Sequence, residues 1–404
     1  LKELMVPTNL AKRLEAVAPS ATLAMTAKAA ELRAKGRKVY AFGVGEPDFE
    51  TPEHIRLAAQ AAMGKSSHYT AVQGTASLRE AICVATERDR GWRPTPDAVT
   101  VSVGAKHALF NLAMVLCDPG DEFVIPAPYW VSYPEQVRLF GGVPKIVETS
   151  AERGFRMTPE ALDAAIGPRT KAVILCTPSN PSGAAYDAGE LLALAEVLKA
   201  RDVWIVLDEI YGDLTYDGFE HVSLAKLAPE LQDKMIVVDG VSKTYAMTGW
   251  RIGWSITPPA LAKALLKVQG QSTTNATAIA QAAAEAALLG PREPIAEMAR
   301  IFAERRRRMV EGLNGIPGMR CDWPRGAFYA FPDVTGLYGI QWGDRRLASA
   351  DDVSLWQLEV CGIAAVAGEP FGAPGHVRYS YAAAESVIDE ALSVLGAAVA
   401  SAKR

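Results

Sequence analysis

The chain has 404 residues, of which 49% are hydrophobic and 22% are charged. This is the composition of a folded globular protein, and it excludes intrinsic disorder and collagen-like structure. Lysine and arginine number 42 against 46 aspartate and glutamate residues, so the net charge is −4 and nucleic-acid binding through bulk electrostatics is not expected. At about 150 residues per domain, the length predicts two or three domains.

The five cysteines are scattered along the chain, and no two of them form a CxxC pair. Neither a disulfide framework nor a metal site is therefore predicted. The first residues lack the basic and then apolar pattern of a signal peptide. No uninterrupted apolar stretch reaches the roughly 18 residues of a membrane-spanning helix. From these patterns we expect a cytoplasmic protein without membrane association.

Short β-branched runs alternate with helical patterns through the middle of the chain. Apolar strands separated by helices predict a mainly parallel sheet that is covered on both faces, and so an α/β fold. The predicted strands are 99–103, 122–125, 172–176, 203–207 and 235–238, and the predicted helices are 106–116, 159–165, 188–199 and 259–269.

The last third of the chain shows a different pattern, with a helix at 296–313, weak strands near 326–331 and 376–379, and a final helix from about residue 385. This pattern predicts a smaller α+β domain. The predicted organisation is a segment at 1–50 that packs with the small domain, a large α/β domain at 51–290 and the small domain at 291–404.

A run of four arginines at 305–308 follows Glu304 inside the predicted helix 296–313. Charge runs on helices are usually solvated faces. We therefore expect these arginines to face solvent, with contacts at an interface as the alternative.

Polar side chains follow three of the predicted strands at their carboxyl ends. Asn180 follows the first, Asp208 and Tyr211 follow the second, and Ser242 and Lys243 follow the third. Ligands of open α/β sheets bind outside the carboxyl ends of the strands. These side chains are therefore candidates for a single site.

The residue types at this edge suggest one kind of cofactor. Lys243 can form a Schiff base with an aldehyde, and Asp208 can hold a protonated ring nitrogen, which together are typical of pyridoxal 5′-phosphate (PLP) sites. Tyr211 and Asn180 can donate to the ring 3′-oxygen. A fourth strand leads into a helix start at Gly104, whose free N–H groups favour a phosphate. Each residue alone has an ordinary structural explanation, such as a cap, a turn or a surface charge, so the prediction depends on their combination.

Nine sequence strings, spread over nearly the whole chain, fit one family pattern. They are GEPDFETPEH (45–54), YTAVQGTASLREAI (69–82), VGAKHALFNL (103–112), PYWVSYPE (128–135), TPSNPSG (177–183), DEIYGDLTY (208–216), SKTYAMTGWRIGW (242–254), GAFY (326–329) and GHVRYSYA (375–382). With these strings the chain resembles the class I aminotransferases of PLP fold type I, in the subgroup of bacterial aspartate and prephenate aminotransferases. The resemblance implies a large domain with a mainly parallel seven-stranded sheet, a smaller α+β domain and a homodimer with shared active sites.

The resemblance also implies roles for individual residues. Lys243 would carry the cofactor and act in catalysis with Asp208 and Tyr211, and Trp130 would stack on the ring. Tyr69 would reach the phosphate in the neighbouring subunit. The residues implied to bind PLP are Gly104, Ala105, Lys106, Trp130, Asn180, Asp208, Tyr211, Ser242, Lys243, Arg251 and Tyr69.

The implied substrates are an L-amino acid and a 2-oxo acid. Arg378 would bind the α-carboxylate as a bidentate partner, Gly45 would approach the same group through its backbone, and Trp130 and Asn180 would line the pocket. Lys106, Ser20 and Thr22 would face a distal carboxylate. A phosphate or surface contact for Lys106 and helix caps for Ser20 and Thr22 stay open as alternatives.

The predicted activity is a ping-pong transfer of an amino group from aspartate or glutamate to 2-oxoglutarate, oxaloacetate or prephenate. A PLP-dependent lyase on the same fold and an aminotransferase for aromatic or neutral amino acids are the alternatives. A PLP-binding regulator without turnover is a third interpretation, against which the complete set of catalytic residues argues. The segment 336–352 is longer than in shorter relatives, and the sequence assigns it no role.

Overall fold

The computed structural model describes residues 10–403. Its helices are α1 (Ala21–Ala34), α2 (Glu53–Met63), α3 (Ala76–Arg90), α4 (Ala105–Leu116), α5 (Ser132–Leu139), α6 (Pro159–Ala165), α7 (Ala188–Lys199), α8 (Leu224–Leu227), α9 (Pro259–Gly270), α10 (Ala278–Leu289), α11 (Glu293–Asn314), α12 (Ala350–Trp356) and α13 (Glu385–Ser401). Its strands are β1 (Tyr40–Ala41), β2 (Val99–Ser102), β3 (Glu122–Pro126), β4 (Val143–Val147), β5 (Thr170–Cys176), β6 (Trp204–Asp208), β7 (Met235–Gly240), β8 (Gly253–Ile256), β9 (Tyr329–Ala330), β10 (Gln341–Trp342), β11 (Arg345–Arg346), β12 (Ile363–Ala364), β13 (Val366–Ala367) and β14 (Val377–Ser380).

A seven-stranded sheet forms the centre of the molecule, in the strand order β2-β8-β7-β6-β5-β3-β4. Strand β8 is antiparallel to both of its neighbours, and the other pairs are parallel. The predicted α/β class is confirmed. The five strands predicted from β-branched runs are present, but the prediction missed β4 and β8.

Apart from the edge strand β4, the strands of this sheet are largely buried on both faces, which is why most of them read as continuous apolar runs. Leu175, Leu207 and Val237 belong to the hydrophobic cluster on one face, together with residues of α3, α7 and α10. Ile174 and Val206 belong to the cluster on the other face, together with α4 and α9. Helices therefore hold the sheet from both sides and leave the carboxyl ends of β5, β6 and β7 side by side at one edge.

Helix α11 joins this sheet to the C-terminal third of the chain. Near its start, Ile295 and Met298 pack in the first of the two clusters above. Further along, Phe302 and Leu313 pack in a separate cluster with β9, β14 and α13. Before the sheet, Met25 of α1 packs against C-terminal residues such as Phe371, and β1 pairs with β12. The domain bounds near residues 50 and 290 stay predictions.

The expectation of a solvated arginine face is wrong for two of the four arginines. Arg305 and Arg306 are buried, whereas Arg307 and Arg308 lie at the surface and pair with carboxylates of α11 and α13. Arg305 pairs with Asp48, and Arg306 donates to the Pro324 carbonyl at 2.9 Å. A charge run does not show which side of a helix packs against another part of the chain. Here the side of α11 that carries Arg305 and Arg306 packs against the segments that contain Asp48 and Pro324.

All five cysteines are free. Within residues 10–403, no helix is long and apolar enough to cross a membrane.

Candidate active site

A cavity of about 460 Å³ opens at the carboxyl ends of β5, β6 and β7. It brings together thirteen of the fifteen residues that the sequence predicted. Gly104, which lies next to the lining residue Arg251, and Tyr69 are not part of the lining. The predicted residues that line it are Ser20, Thr22, Gly45, Ala105, Lys106, Trp130, Asn180, Asp208, Tyr211, Ser242, Lys243, Arg251 and Arg378.

Lys243 projects into this cavity from the turn that follows β7. Its Nζ donates a hydrogen bond to the Gly45 carbonyl at 2.6 Å. Burial, opposed by Glu46 and reinforced by nearby cations such as Arg251, lowers the pKa of Lys243 to about 8. The neutral amine, which is the nucleophilic form, is therefore accessible close to neutral pH.

Asp208 ends β6 and is 4% exposed. Its Oδ2 accepts a hydrogen bond from the Tyr133 hydroxyl at 2.6 Å, and its Oδ1 accepts one from the Ile210 N–H at 3.3 Å. Burial raises the pKa of Asp208 to about 6, although these hydrogen bonds favour its charged form. A buried carboxylate in this setting gains stability from a cation placed beside it.

Tyr211 forms a buried hydroxyl pair with Tyr329, with the two oxygens 2.8 Å apart. Burial, reinforced by Tyr329, raises the pKa of Tyr211 well above its usual value. Tyr211 therefore stays neutral and keeps a proton to donate. The side chain of Tyr329 also fills the space over Gly45, where an added Cβ would come within 2.4 Å of the Tyr329 hydroxyl oxygen.

Arg378 extends from β14 to the cavity and is 2% exposed. Its Nη1 donates to Asn180 Oδ1 at 2.9 Å and its Nη2 donates to the Gly43 carbonyl at 2.7 Å, while Tyr329 and Phe371 flank the guanidinium. Among residues 10–403 it forms no ion pair, and no described residue accepts a hydrogen bond from its Nε. A buried guanidinium without a counter-ion suits an anionic ligand, above all a planar carboxylate.

The start of α4 forms one wall of the cavity. Gly104, the N-cap of α4, has a φ of +84°, which glycine adopts without strain. A Cβ at Gly104 would lie 2.6 Å from Arg251 Nη2, so the glycine makes room for that side chain. Ala105, Ser242 and Arg251 line the cavity here. Free N–H groups at a helix start, a hydroxyl and a guanidinium together suit a phosphate.

Lys106 and Trp130 lie on the adjoining wall, with the lysine Nζ 5.0 Å from the centroid of the indole ring. Burial, and then the charge of Arg251, lower the pKa of Lys106. Ser20 caps α1 by accepting a hydrogen bond from the Leu23 N–H at 3.4 Å, so its capping role is present although it also lines the cavity. Thr22 lines the cavity as well.

Tyr69 lies elsewhere, on the loop between α2 and α3, and is 90% exposed. It contributes nothing to the cavity of its own chain. Its assignment to a neighbouring subunit stays a prediction.

The sequence interpretation assigned no role to two tyrosines that contact predicted site residues. Tyr133 hydrogen-bonds to Asp208, and Tyr329 hydrogen-bonds to Tyr211. Both occur in strings that carried the resemblance, PYWVSYPE and GAFY, which is the only signal for them in the sequence. Glu46, Cys176 and Leu23 also line the cavity without having been predicted.

Known proteins resemble this chain over nearly its whole length. The family model for aminotransferase class I and II matches residues 37–395. An aspartate aminotransferase of Geobacillus stearothermophilus is 48% identical over 95% of this chain and 97% of its own length. An aspartate/prephenate aminotransferase of Cereibacter sphaeroides is 46% identical over 95% of this chain and 96% of its own length.

Solved structures agree with the sequence comparisons. The aspartate aminotransferase of Rhizobium meliloti superposes with a TM-score of 0.95 at 42% identity, covering 98% of this chain and 100% of that chain. The aspartate aminotransferase of Thermus thermophilus with maleate gives a TM-score of 0.91 at 40% identity, covering 97% of this chain and 100% of that chain. The resemblance to class I aminotransferases of the bacterial aspartate and prephenate type is confirmed. The chain belongs to the class I and II aminotransferase family, and it is an enzyme that transfers an amino group.

Proposed function

We propose that the protein uses PLP to transfer the amino group of a dicarboxylic amino acid, aspartate or glutamate, to a 2-oxo acid such as 2-oxoglutarate, oxaloacetate or prephenate. The observation that carries this proposal is the joint presence, in one cavity, of a lysine with a lowered pKa and a buried arginine for which no described residue is a counter-ion. The first suits an aldehyde, and the second suits the carboxylate that every α-amino acid carries.

The residues of the cavity fit PLP. Lys243 would hold its aldehyde carbon, Asp208 its ring nitrogen, and Tyr211 and Asn180 its 3′-oxygen. The wall formed by Ala105, Ser242 and Arg251, next to Gly104 at the start of α4, would hold its phosphate, with Lys106 nearby, and Trp130 would lie against its ring. When bound, PLP supplies an aldehyde that condenses with amines and a ring that accepts an electron pair.

The chain's own residues then have distinct tasks. Arg378 would bind the substrate α-carboxylate and so orient the Cα–H bond towards Lys243. The Lys243 amine would take the proton from the substrate Cα and then donate it again, acting first as general base and then as general acid. Asp208 would hold the ring nitrogen in its protonated form. Tyr211, as a neutral donor, would stabilise negative charge on the 3′-oxygen. Water would release the donor's carbon skeleton as a 2-oxo acid, and the acceptor 2-oxo acid would take up the amino group with the loss of one water.

The preference for dicarboxylic substrates rests on Lys106. Its ammonium lines the same cavity as Ser20 and Thr22 and would bind a distal carboxylate. Two relatives support this assignment, because one is named an aspartate aminotransferase and another was solved with maleate, a dicarboxylate. Prephenate is included as an acceptor because it carries a distal carboxylate and because a relative is named for it.

The protein would act as a homodimer with shared sites, since Tyr69 is exposed on its own chain and is implied to reach the phosphate in a partner. A location in the cytoplasm is part of the same proposal.

A spectrophotometric half-reaction tests the function. PLP-loaded enzyme is mixed with one amino acid at a time, and the conversion of the bound cofactor to its amine form is followed by absorbance. Fast conversion by aspartate and glutamate and slow conversion by alanine and phenylalanine would support the proposal, and prephenate would then be tested as acceptor. Fast conversion by neutral or aromatic donors would reject the dicarboxylate preference. No conversion by any donor would favour a lyase on the same fold.

A further inference from the structure

The loop that carries Tyr69, residues 69–75, combines an exposed aromatic ring with a firmly held backbone. Tyr69 is 90% exposed, so its own chain does little to hold the side chain. Beneath it, the loop ends at Thr75, the N-cap of α3, and the Gln73 carbonyl accepts a hydrogen bond from the Val101 N–H of β2 at 3.0 Å. The position of the ring is thus set by how this loop, called here the Tyr69 loop, is anchored.

Gln281 of α10 anchors both ends of the Tyr69 loop. It is 0% exposed. Its Oε1 accepts a hydrogen bond from the Thr75 N–H at 2.8 Å, and its Nε2 donates to Thr70 Oγ1 at 2.9 Å and to the Ala276 carbonyl at 2.8 Å. One side-chain amide therefore spans the loop from its second residue to its last.

Gln269 of α9 anchors the middle of the loop and is also 0% exposed. Its Nε2 donates to the Val72 carbonyl at 2.7 Å and to the Val101 carbonyl at 2.8 Å, and its Oε1 accepts from Ser102 Oγ at 2.7 Å. Gly74 lets the loop lie close to β2, because a Cβ at Gly74 would come within 2.6 Å of Val101 Cγ2. The loop is therefore attached to the large sheet as well as to α10.

Burying two amides is costly unless each is satisfied by hydrogen bonds, and these two are satisfied by the loop and the strand beside it. Such an arrangement specifies one backbone conformation more strictly than apolar packing does. A residue that binds a ligand in another subunit binds it more tightly when its loop is already ordered, because less conformational entropy is then lost on binding.

We propose that Gln281, supported by Gln269, is a positioning residue that presents Tyr69 to the cofactor phosphate in a second copy of the chain. This inference rests on the shared-site dimer of the proposed function. Gln281 contacts neither substrate nor cofactor in this assignment, and it acts only through the Tyr69 loop. Its effect belongs to the active site of the other subunit.

The first experiment measures the dissociation constant of PLP from homodimers. Tyr69→Phe should weaken PLP binding roughly 10- to 150-fold, the range for one hydrogen bond to a charged group. Gln281→Met keeps the side-chain length and removes the amide, and it should weaken binding by about threefold or more but by no more than Tyr69→Phe does. In the double variant the effects should not add, because Gln281 acts through Tyr69.

Gln357→Met is the matched control. Gln357 is another fully buried glutamine, and it accepts a hydrogen bond from the Tyr379 hydroxyl at 2.7 Å, away from the Tyr69 loop. It should lower stability without changing the affinity for PLP. Additive effects of Gln281→Met and Tyr69→Phe, or an equal weakening by Gln357→Met, would overturn the inference by showing a general structural role.

The second experiment locates the effect in one subunit. Differently tagged chains are co-expressed so that one subunit carries Lys243→Ala and only the other can hold PLP covalently. Gln281→Met placed on the Lys243→Ala subunit should weaken PLP binding at the surviving site, and placed on the other subunit it should not. The reverse pattern, or equal weakening in both, would reject positioning across the dimer. If Tyr69→Phe itself leaves PLP binding unchanged, both the shared-site hypothesis and this inference are rejected. If Tyr69→Phe weakens PLP binding but the Gln281 variants do not, only this inference is rejected.

Discussion

Replacing Lys106 with alanine tests the dicarboxylate preference directly. The Lys106 ammonium lies on the cavity wall over the Trp130 ring, and desolvation, followed by the charge of Arg251, lowers its pKa. A hydrogen bond between charged partners contributes about 1.5–3 kcal/mol. At about 1.36 kcal/mol per factor of ten, Lys106→Ala should lower kcat/KM for aspartate roughly 10- to 150-fold.

Alanine as amino donor provides the internal comparison, because it has no distal carboxylate. Its kcat/KM should fall by less than about threefold, because alanine makes no interaction with Lys106 that the substitution could remove. The assay is a steady-state measurement at saturating PLP and near-neutral pH, so that a change in cofactor binding does not enter the result. Lys263→Ala, at an exposed position of α9, controls for the loss of one positive charge. Equal losses for aspartate and alanine would refute the reasoning and would assign Lys106 to the phosphate.

Three further outcomes are expected. Lys243→Ala should abolish turnover and the visible absorbance of the bound cofactor, and near-normal activity of this variant would refute the catalytic assignment. Because burial lowers the pKa of Lys243 to about 8, the neutral amine forms as pH rises, so the rate at which apoenzyme captures PLP should increase up to about pH 8 and then level off; a rate still climbing near about pH 10, as for an unperturbed lysine, would contradict this. Arg306→Ala removes a buried guanidinium that lies against the Tyr216 and Trp323 rings, and it should lower the free energy of unfolding by about 2 kcal/mol in urea denaturation, whereas the exposed Arg307→Ala should leave the midpoint unchanged. Similar midpoints for these two arginine variants would show that burial of Arg306 adds no stability.

Much of the candidate site could be predicted from the sequence because of the geometry of a parallel sheet. Residues that follow successive parallel strands meet at one edge whatever lies between them along the chain. Asn180, Asp208 and Lys243 were selected for that reason, and all three line the cavity. Arg378 lies far along the chain on β14, and only the family resemblance pointed to it.

The predictions that failed, and the contacts that were missed, depend on packing between distant segments. The burial of Arg305 and Arg306 follows from the loops that lie against α11, and a local charge run carries no information about them. The contact of Tyr133 with Asp208 and that of Tyr329 with Tyr211 depend on side-chain directions across separate elements. Strand β8 was missed because its short run gave too little signal against the neighbouring turns.

By itself, the sequence determined the α/β class and the chemical groups available to the site, because strand and helix periodicity and residue type are local properties. Only the tertiary structure decided the burial, the hydrogen-bond partners and the pKa shifts of those groups. Lys243 meets the Gly45 carbonyl, and Arg378 meets Asn180, each across 198 residues of chain. The lowered pKa of Lys243 and the burial of the Arg378 guanidinium without an ion pair among residues 10–403 arise only when segments far apart in the chain close around the same cavity.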